Sequence, residues 1–278
     1  MNIVFGTYNV RALGARPART RLKNYIREVR QKIDILAIHE HKLREHNLHF
    51  LSSTIWPTAK FFLLPAIDGS HAERNPSVQG GKGGVLVAVN PAIAPLIVAH
   101  GFLPLNGGIW LHLDLPDGKN IGFAAIYAPN AAANRTRLWE VLEFALDSSR
   151  CWIMGGDFNM ITSTLEQKGG TPKVISGEEL TQWENFTQSY QLQDTFQRKA
   201  GALLFSWDNK RAPLPLNAQD PALTSLVNGG RVLKRLDRIY ADASVMHMSD
   251  PENISTQLKL EEAQTALRTW ECEKAKWL

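Results

Sequence analysis

Apolar residues along this chain fall into two rhythms, and the switches between them predict the elements. Residues 2–8 read as a strand, closed by Tyr8-Asn9-Val10-Arg11. Over 15–33 the period becomes helical: Leu22, Tyr25, Ile26, Val29 and Ile33 recur with Arg and Lys between them, which predicts a helix with a solvated basic face. Ile35-Leu36-Ala37-Ile38 is a short continuous apolar run, the pattern of a buried strand, and His39-Glu40-His41-Lys42 follows at once. The polar, Gly-rich stretch 67–82 reads as a loop, and Val85 to Val89 as a further strand. Ile109, Leu111, Leu113 and Leu115 alternate with other residues, which suits a half-buried antiparallel strand over 108–115. Ile121 to Tyr127 is another strand, closed by Ala128-Pro129-Asn130.

The second half continues the mixture. Leu138, Trp139, Leu142 and Leu146 mark a helix before an apolar strand at Cys151 to Met154. Ser176-x-x-Glu179 has the form of a capping box, opening a helix that carries Leu180, Trp183 and Phe186. Phe205-Ser206-Trp207 is strand-like, and a Pro- and Asn-bearing loop runs over about 208–230. Lys234-Arg235-Leu236-Asp237-Arg238-Ile239-Tyr240 follows, then Ser249-Asp250-Pro251 and an alternating strand at Ile254, Leu258 and Leu260. Leu267, Trp270 and Trp277 give the tail 261–278 helical spacing. No exact internal repeat, heptad or low-complexity tract is present. Both alternating and wholly apolar strands, mixed with helices, predict a layered α/β protein.

Composition narrows the class. The length of 278 residues suits one large α/β domain or two small ones. Hydrophobic content of 44% and charged content of 21% are those of an ordinary water-soluble fold. A net charge of +4 and a pI near 9.1 are compatible with a phosphate-bearing partner. Two cysteines, Cys151 and Cys272, do not make a disulfide framework, and Cys151 lies in an apolar run as a core residue would. No apolar run is long enough to span a bilayer, and the strand-like N-terminus has no secretory pattern. The expected setting is intracellular and reducing, without secretion or membrane contact.

The stretch that carries chemistry is Gly155-Gly156-Asp157-Phe158-Asn159. It follows a buried strand, and strand ends are where α/β proteins commonly place ligands. If it stays extended, Asp157 and Asn159 share one side and Phe158 faces the other. A carboxylate there can orient or deprotonate a water, and an amide can hold a polar group of a substrate. The same residues also suit a plain turn. Asn9, Glu40, Tyr127 and Asp237 likewise stand just past other strands. Taken singly, each fits a cap, a solvated charge, a core phenol or an ion pair as well as a site.

In order, Tyr-Asn-Val-Arg, Glu-His-Lys-Leu, Ile-Tyr-Ala-Pro-Asn, Gly-Gly-Asp-Phe-Asn and Arg-Leu-Asp-Arg-Ile-Tyr resemble the endonuclease/exonuclease/phosphatase superfamily. Within it the wording is most similar to the apurinic-type endonuclease domains of LINE-type non-LTR retrotransposons, over residues 1–260. The resemblance implies a four-layer α/β/β/α sandwich with two packed mixed sheets. It implies hydrolysis of a phosphate ester with Mg2+ (or Mn2+), which prefers oxygen ligands. By the family pattern Glu40, with Asn9 and Asp250, would hold the metal, and Asn9 would also meet the phosphate. Tyr127 would touch the scissile phosphate, Asp157 would activate water, and Asn159 would position both. Asp237 would fix the family's final histidine. Trp207, in a Ser-Trp pair, would wall the nucleic-acid groove, or else be a buried core tryptophan. The implied partners are DNA and other retroelement products, the chain acting as a monomer in a nuclear setting.

The pattern breaks near its end. The family closes with Ser-Asp-His, and here Ser249-Asp250-Pro251 occupies that place. Proline has neither a side-chain donor nor a titratable group. Asp237 and Asp250 stand 13 positions apart, closer than the family spacing, so Ser249-Asp250 is either the remnant of the motif after a deletion or an accidental match with the true motif gone. His247 is nearby, but nothing in its setting makes it the substitute. Ala12 stands where these domains usually carry glycine. The tail 261–278 resembles the helical connector before a reverse transcriptase, as in a piece of a longer polyprotein. Three readings follow: an impaired DNA endonuclease, a nucleic-acid-binding remnant without turnover, and, more weakly, a phosphatase of the same superfamily.

Overall fold

A computed structural model describes residues 3–14, 16–45, 56–67, 83–168, 171–195, 207–208, 233–234 and 237–242. Two mixed sheets pack face to face. The first contains β1 (Phe5–Asn9), β2 (Ile35–His39), β3 (Lys60–Leu64) and β4 (Val85–Val89), in the order β1-β2-β4-β3. The second contains β5 (Ile97–Leu103), β6 (Gly108–Asp114), β7 (Asn120–Tyr127), β8 (Cys151–Asp157), β10 (Leu192–Asp194) and β13 (Asp237–Asp242). Its order is β10-β13-β8-β7-β6-β5. A small third sheet, β11-β12-β9, joins Trp207–Asp208, Leu233–Lys234 and Gln167–Lys168.

Each large sheet has one parallel pair joined by a helix, since parallel neighbours need a crossover. In the first sheet β1 leads through α1 (Arg16–Val29) to β2. In the second, β7 leads through α2 (Ala132–Ala145) to β8. Every other pairing within the two large sheets is antiparallel. The chain thus uses one architectural unit twice without repeating its sequence. Polar residues flagged in the sequence stand at the same place in both: Asn9 and Glu40 at the ends of the first pair, Tyr127 and Asp157 at the ends of the second.

Three apolar layers follow from the strand patterns. Alternate residues of β2, Ile35 and Ala37, meet Ile109, Leu111, Phe123 and Ile153 between the sheets. The intervening Leu36 and Ile38 face α1, whose Leu22, Tyr25, Ile26 and Val29 are all buried there. On the outer face of the second sheet, Trp152, Met154 and Phe158 meet Trp139 of α2 with Trp183 and Phe186 of α3 (Gly177–Ser189). Helix, sheet, sheet, helix is the four-layer α/β sandwich that the motif order implies.

Local departures have identifiable causes. The first helix ends at Val29 rather than at residue 33, yet Ile33 stays buried because its amide still reaches the Val29 carbonyl at 3.0 Å. The first strand begins at Phe5, while the amide of Val4 donates to Asp34 Oδ2. Ser176 occupies the N-cap position of α3 but makes no side-chain cap bond. Glu179, its expected partner, instead accepts Arg135 Nε at 2.6 Å and Nη2 at 3.2 Å, because that buried guanidinium requires a carboxylate. A capping box does form at Ser163 and Glu166, where the sequence reading placed none. Cys151 is half-buried at the start of β8. The expected loop over 68–82, the 209–230 loop, the strand at 254–260 and the helix at 261–278 lie outside the described residues.

Ala12 has φ 129°, a backbone region that glycine enters freely and alanine does not. That accounts for the glycine usual at this position. Ala12→Gly should raise stability by about 1 kcal/mol, the relieved strain being offset in part by a more flexible unfolded chain. Urea denaturation midpoints of the two proteins check this.

Candidate active site

The two sheets bring their parallel-pair ends to one edge of the sandwich. Across the second sheet Tyr127, Asp157 and Asp237 stand side by side, Asp157 being in register with Tyr127 on β7 and with Asp237 on β13. Gly156 makes the close packing there possible. A Cβ on it would come within 1.9 Å of the Ile126 carbonyl oxygen, and its φ of 151° suits glycine. From the first sheet, Asn9 reaches over: its Nδ2 donates to Asp157 Oδ2 at 2.8 Å, although 148 positions separate the two. Glu40 arrives from the end of β2 and accepts the Tyr127 hydroxyl at 3.3 Å. Five of the residues singled out in the sequence therefore meet: Asn9, Glu40, Tyr127, Asp157 and Asn159. Asp237 joins them by its backbone position.

Asn159 reaches the group differently from an extended strand. The strand ends at Asp157, and Asn159 turns to φ 49°. Its amide N–H donates to Asp157 Oδ1 at 3.0 Å, and its Nδ2 donates to the Ala128 carbonyl at 2.7 Å. This is a side-chain-closed turn, favoured by Asp and Asn. Phe158 is pulled into the core against Trp139, Trp183 and Tyr240. Asp157 is thus held by an amide on each carboxylate oxygen.

Two basic side chains missed as site candidates border the carboxylates. Lys42 Nζ lies 3.5 Å from Glu40 Oε1. Arg11 is exposed, its amide donates to Asn9 Oδ1 at 3.0 Å, and its charge is felt at Asp157. Both belong to motifs quoted above, Asn-Val-Arg and Glu-His-Lys, so the signal was adjacency rather than periodicity. Arg11, Ala12, Glu40, Lys42 and Asn159 all have positive φ, five of the eight such non-glycine residues among those described. Backbone strain of this kind gathers at functional sites.

The electrostatics are those of crowded anions. Burial raises the Asp157 pKa to about 6, and the Glu40 charge adds to the shift, while hydrogen bonds from Asn159 and Asn9 oppose it. Burial, then the charges of Glu40 and Asp157, push the Tyr127 phenol well above its ordinary value, so it remains a donor. Among the described side chains of this group the acceptors are oxygens: two carboxylates, two amide carbonyls and a phenol. No cluster of three His, Cys, Asp or Glu side chains occurs among the described residues. That donor set suits a hard cation that takes one or two carboxylates and keeps its own waters. The Trp207 backbone forms part of β11. The side chain of Trp207, that of Asp237, and all of His247, Asp250 and Pro251 lie outside the described residues.

A pH dependence follows. A carboxyl whose pKa rises on folding binds a proton more tightly in the folded state. Its contribution to stability is complete below about pH 4 and is lost as pH rises through about 6. Buried His39 and His41 have pKa values lowered to about 3 and about 4, and act in the opposite direction. The Asp157 share is therefore read as a difference. In EDTA, wild-type stability should fall relative to Asp157→Asn between pH 4 and 7, and Mg2+ at pH 7 should cancel that fall. Thermal melts over this range make the comparison.

The profile of the Endonuclease/Exonuclease/phosphatase family matches residues 6–247. No curated protein sequence matches significantly. Among solved structures, the AP endonuclease LMAP from Leishmania major is similar with a TM-score of 0.59 and 15% identity, over 85% of this chain and 78% of that one. The APE2 catalytic domain of Xenopus laevis gives 0.54 and 14%, over 86% and 82%. An AP endonuclease from Archaeoglobus fulgidus gives 0.52 and 15%, over 86% of each. At these identities the likeness is one of fold.

Proposed function

Because the chain belongs to the endonuclease/exonuclease/phosphatase family, we propose that it is a Mg2+- or Mn2+-dependent DNA endonuclease of the retrotransposon type, with its turnover impaired at one position. The observation that carries this reading is the meeting of Asn9, Glu40, Tyr127, Asp157 and Asn159 at one edge of the sandwich. Similarity in fold to AP endonucleases supports DNA over other phosphate esters.

The proposed roles join the family pattern to this geometry. Glu40 would hold the cation, with the Asn9 carbonyl beside it, and the cation would neutralise charge on the phosphate oxygens. Asp157, fixed by two amide donors, accepts a proton from the attacking water. The Tyr127 hydroxyl, kept protonated, would exchange its hydrogen bond to Glu40 for one to the phosphate. Asn159, locked by its backbone turn and its bond to the Ala128 carbonyl, would position Asp157 and the phosphate. Trp207 would wall the groove. Asp250, beside Pro251, would add a further carboxylate.

Pro251 stands where the family carries a histidine that donates to the scissile phosphate, and Asp237 has no imidazole to orient there. Losing one such donor costs about 2.7–4 kcal/mol of transition-state stabilisation, a rate loss of about 10²–10³-fold. The phosphate and metal contacts proposed for Asn9, Glu40, Tyr127 and Asn159 are separate from it, so DNA binding should persist and weaken steeply with salt. Pro251→His should therefore raise the rate of Mg2+-dependent plasmid nicking by up to about 10²-fold. Equal nicking by the two proteins would remove this position from the account. The second reading, a binding remnant, is favoured by the same proline and predicts DNA affinity with no nicking in either protein.

A further inference from the structure

Beneath the carboxylates, between the sheets, lie polar atoms that the proposed chemistry does not use. His39 is wholly buried, and neither ring nitrogen has a hydrogen-bond partner among the described residues. The Thr7 hydroxyl is likewise buried and unpartnered among them. Both face the second sheet. On β1, Phe5 stacks on Phe123 and Asn9 reaches Asp157, so Thr7 between them points the same way. On β2, Ile35 and Ala37 lie in the inter-sheet core, and His39 is next in that alternation. The parallel register sets Thr7 beside Ala37 and Asn9 beside His39.

The opposite wall presents two glycines there, Gly155 and Gly156, with Ile239 beside the first. A Cβ on Gly155 would find the Thr7 Cβ at 3.8 Å, and one on Gly156 would meet His39 Cε1 at 2.9 Å. A neutral imidazole carries one donor and one acceptor, and a hydroxyl can serve as both. Leaving such groups unpaired in an apolar interior is costly, and native proteins satisfy them with protein partners or ordered water.

We propose that Thr7 and His39 hold one ordered water between the sheets, and that this bridge positions the strand ends carrying Asn9 and Glu40 against Asp157. At Gly155 a Cβ would stand no closer than 3.7 Å to any neighbour, which leaves room beside Thr7, while Gly156 packs closely on the His39 ring; the two polar side chains supply the partners that a buried water requires. His39 acts through its neighbours, as a positioning residue. The effect on nicking rests on the endonuclease reading; the bridge itself does not.

The test has three readouts on the full chain. A crystal structure of the wild type at better than about 1.5 Å should show water density within hydrogen-bond distance of the Thr7 hydroxyl and a His39 nitrogen. Urea midpoints for Thr7→Val, His39→Leu and the double variant should be non-additive, because removing both polar groups removes the need for the water. Nicking by His39→Leu should fall about 10-fold in kcat with KM unchanged, and His39→Gln, which keeps a donor and an acceptor, should restore most of it. A dry interior with additive midpoints would overturn the proposal, whatever the nicking activity. Absence of nicking in the wild type, with the water present, would overturn the endonuclease reading and leave the bridge standing.

Discussion

Replacing Arg238 with methionine should destabilise the protein by about 3–5 kcal/mol. The guanidinium is buried, 2% exposed, and lies 2.6 Å from Glu166 Oε2, whose residue is 1% exposed. Arg238 also donates to the Met160 carbonyl and the Tyr240 hydroxyl, both at 2.9 Å. Glu166 Oε2 in turn accepts from the amides of Thr162 and Ser163 and from the Thr162 hydroxyl. Removing the cation takes away the charge that lies 2.6 Å from this buried carboxylate, which is worse than having no charge there. The double variant Arg238→Met with Glu166→Leu should accordingly recover much of the loss. Urea denaturation of the three proteins decides it, and a single variant as stable as wild type would contradict the buried pair. The consequence reaches the site. Arg238 follows Asp237 on β13, and Glu166 closes the loop that begins with Asn159, so the pair ties both sides of Asp157 together.

Asp157→Asn should lower the nicking rate by about 10³-fold while leaving the fold intact. The substitution preserves shape but removes the acceptor that takes the water's proton. It also removes a buried anion that burial and Glu40 both disfavour, which offsets the loss of one of the two amide hydrogen bonds, so in EDTA at pH 7.5 the variant should stay close to wild type in stability. Loss of activity together with retained or improved stability separates a chemical role from a structural one. Rates from a plasmid assay and midpoints from thermal melts supply the two halves.

The sequence reveals the site better than it reveals what holds the site. Strand ends are local events: an apolar run stops, glycines intervene, and polar residues follow. Asn9, Glu40, Tyr127 and Asp157 could be read from that grammar, and the motif order turned five ambiguous positions into one expectation. An extended strand would set Asn159 beside Asp157 on one face, but a side-chain-closed turn holds it instead. The Arg238–Glu166 pair was illegible, since its members stand 72 positions apart and each has an innocent local reading. Glu179 was misread for the same cause: Ser-x-x-Glu fits a cap, but Arg135, 44 positions away, takes the carboxylate. The duplicated strand-helix-strand unit also escaped, because two segments can share a path and a crossover without sharing residues. His39 and Thr7 look like ordinary strand residues until burial shows that their polar atoms have no partner.

The central claim is that the Glu40 and Asp157 carboxylates at the sandwich edge run a metal-dependent phosphodiester hydrolysis. Its most direct test is relaxation of supercoiled plasmid by the full chain at pH 7.5, in Mg2+ and in EDTA, beside Asp157→Asn. Slow single-strand nicking by the wild type in Mg2+ only, absent from the variant, is the predicted result. Nicking that survives EDTA, or that is equal in Asp157→Asn, would contradict it.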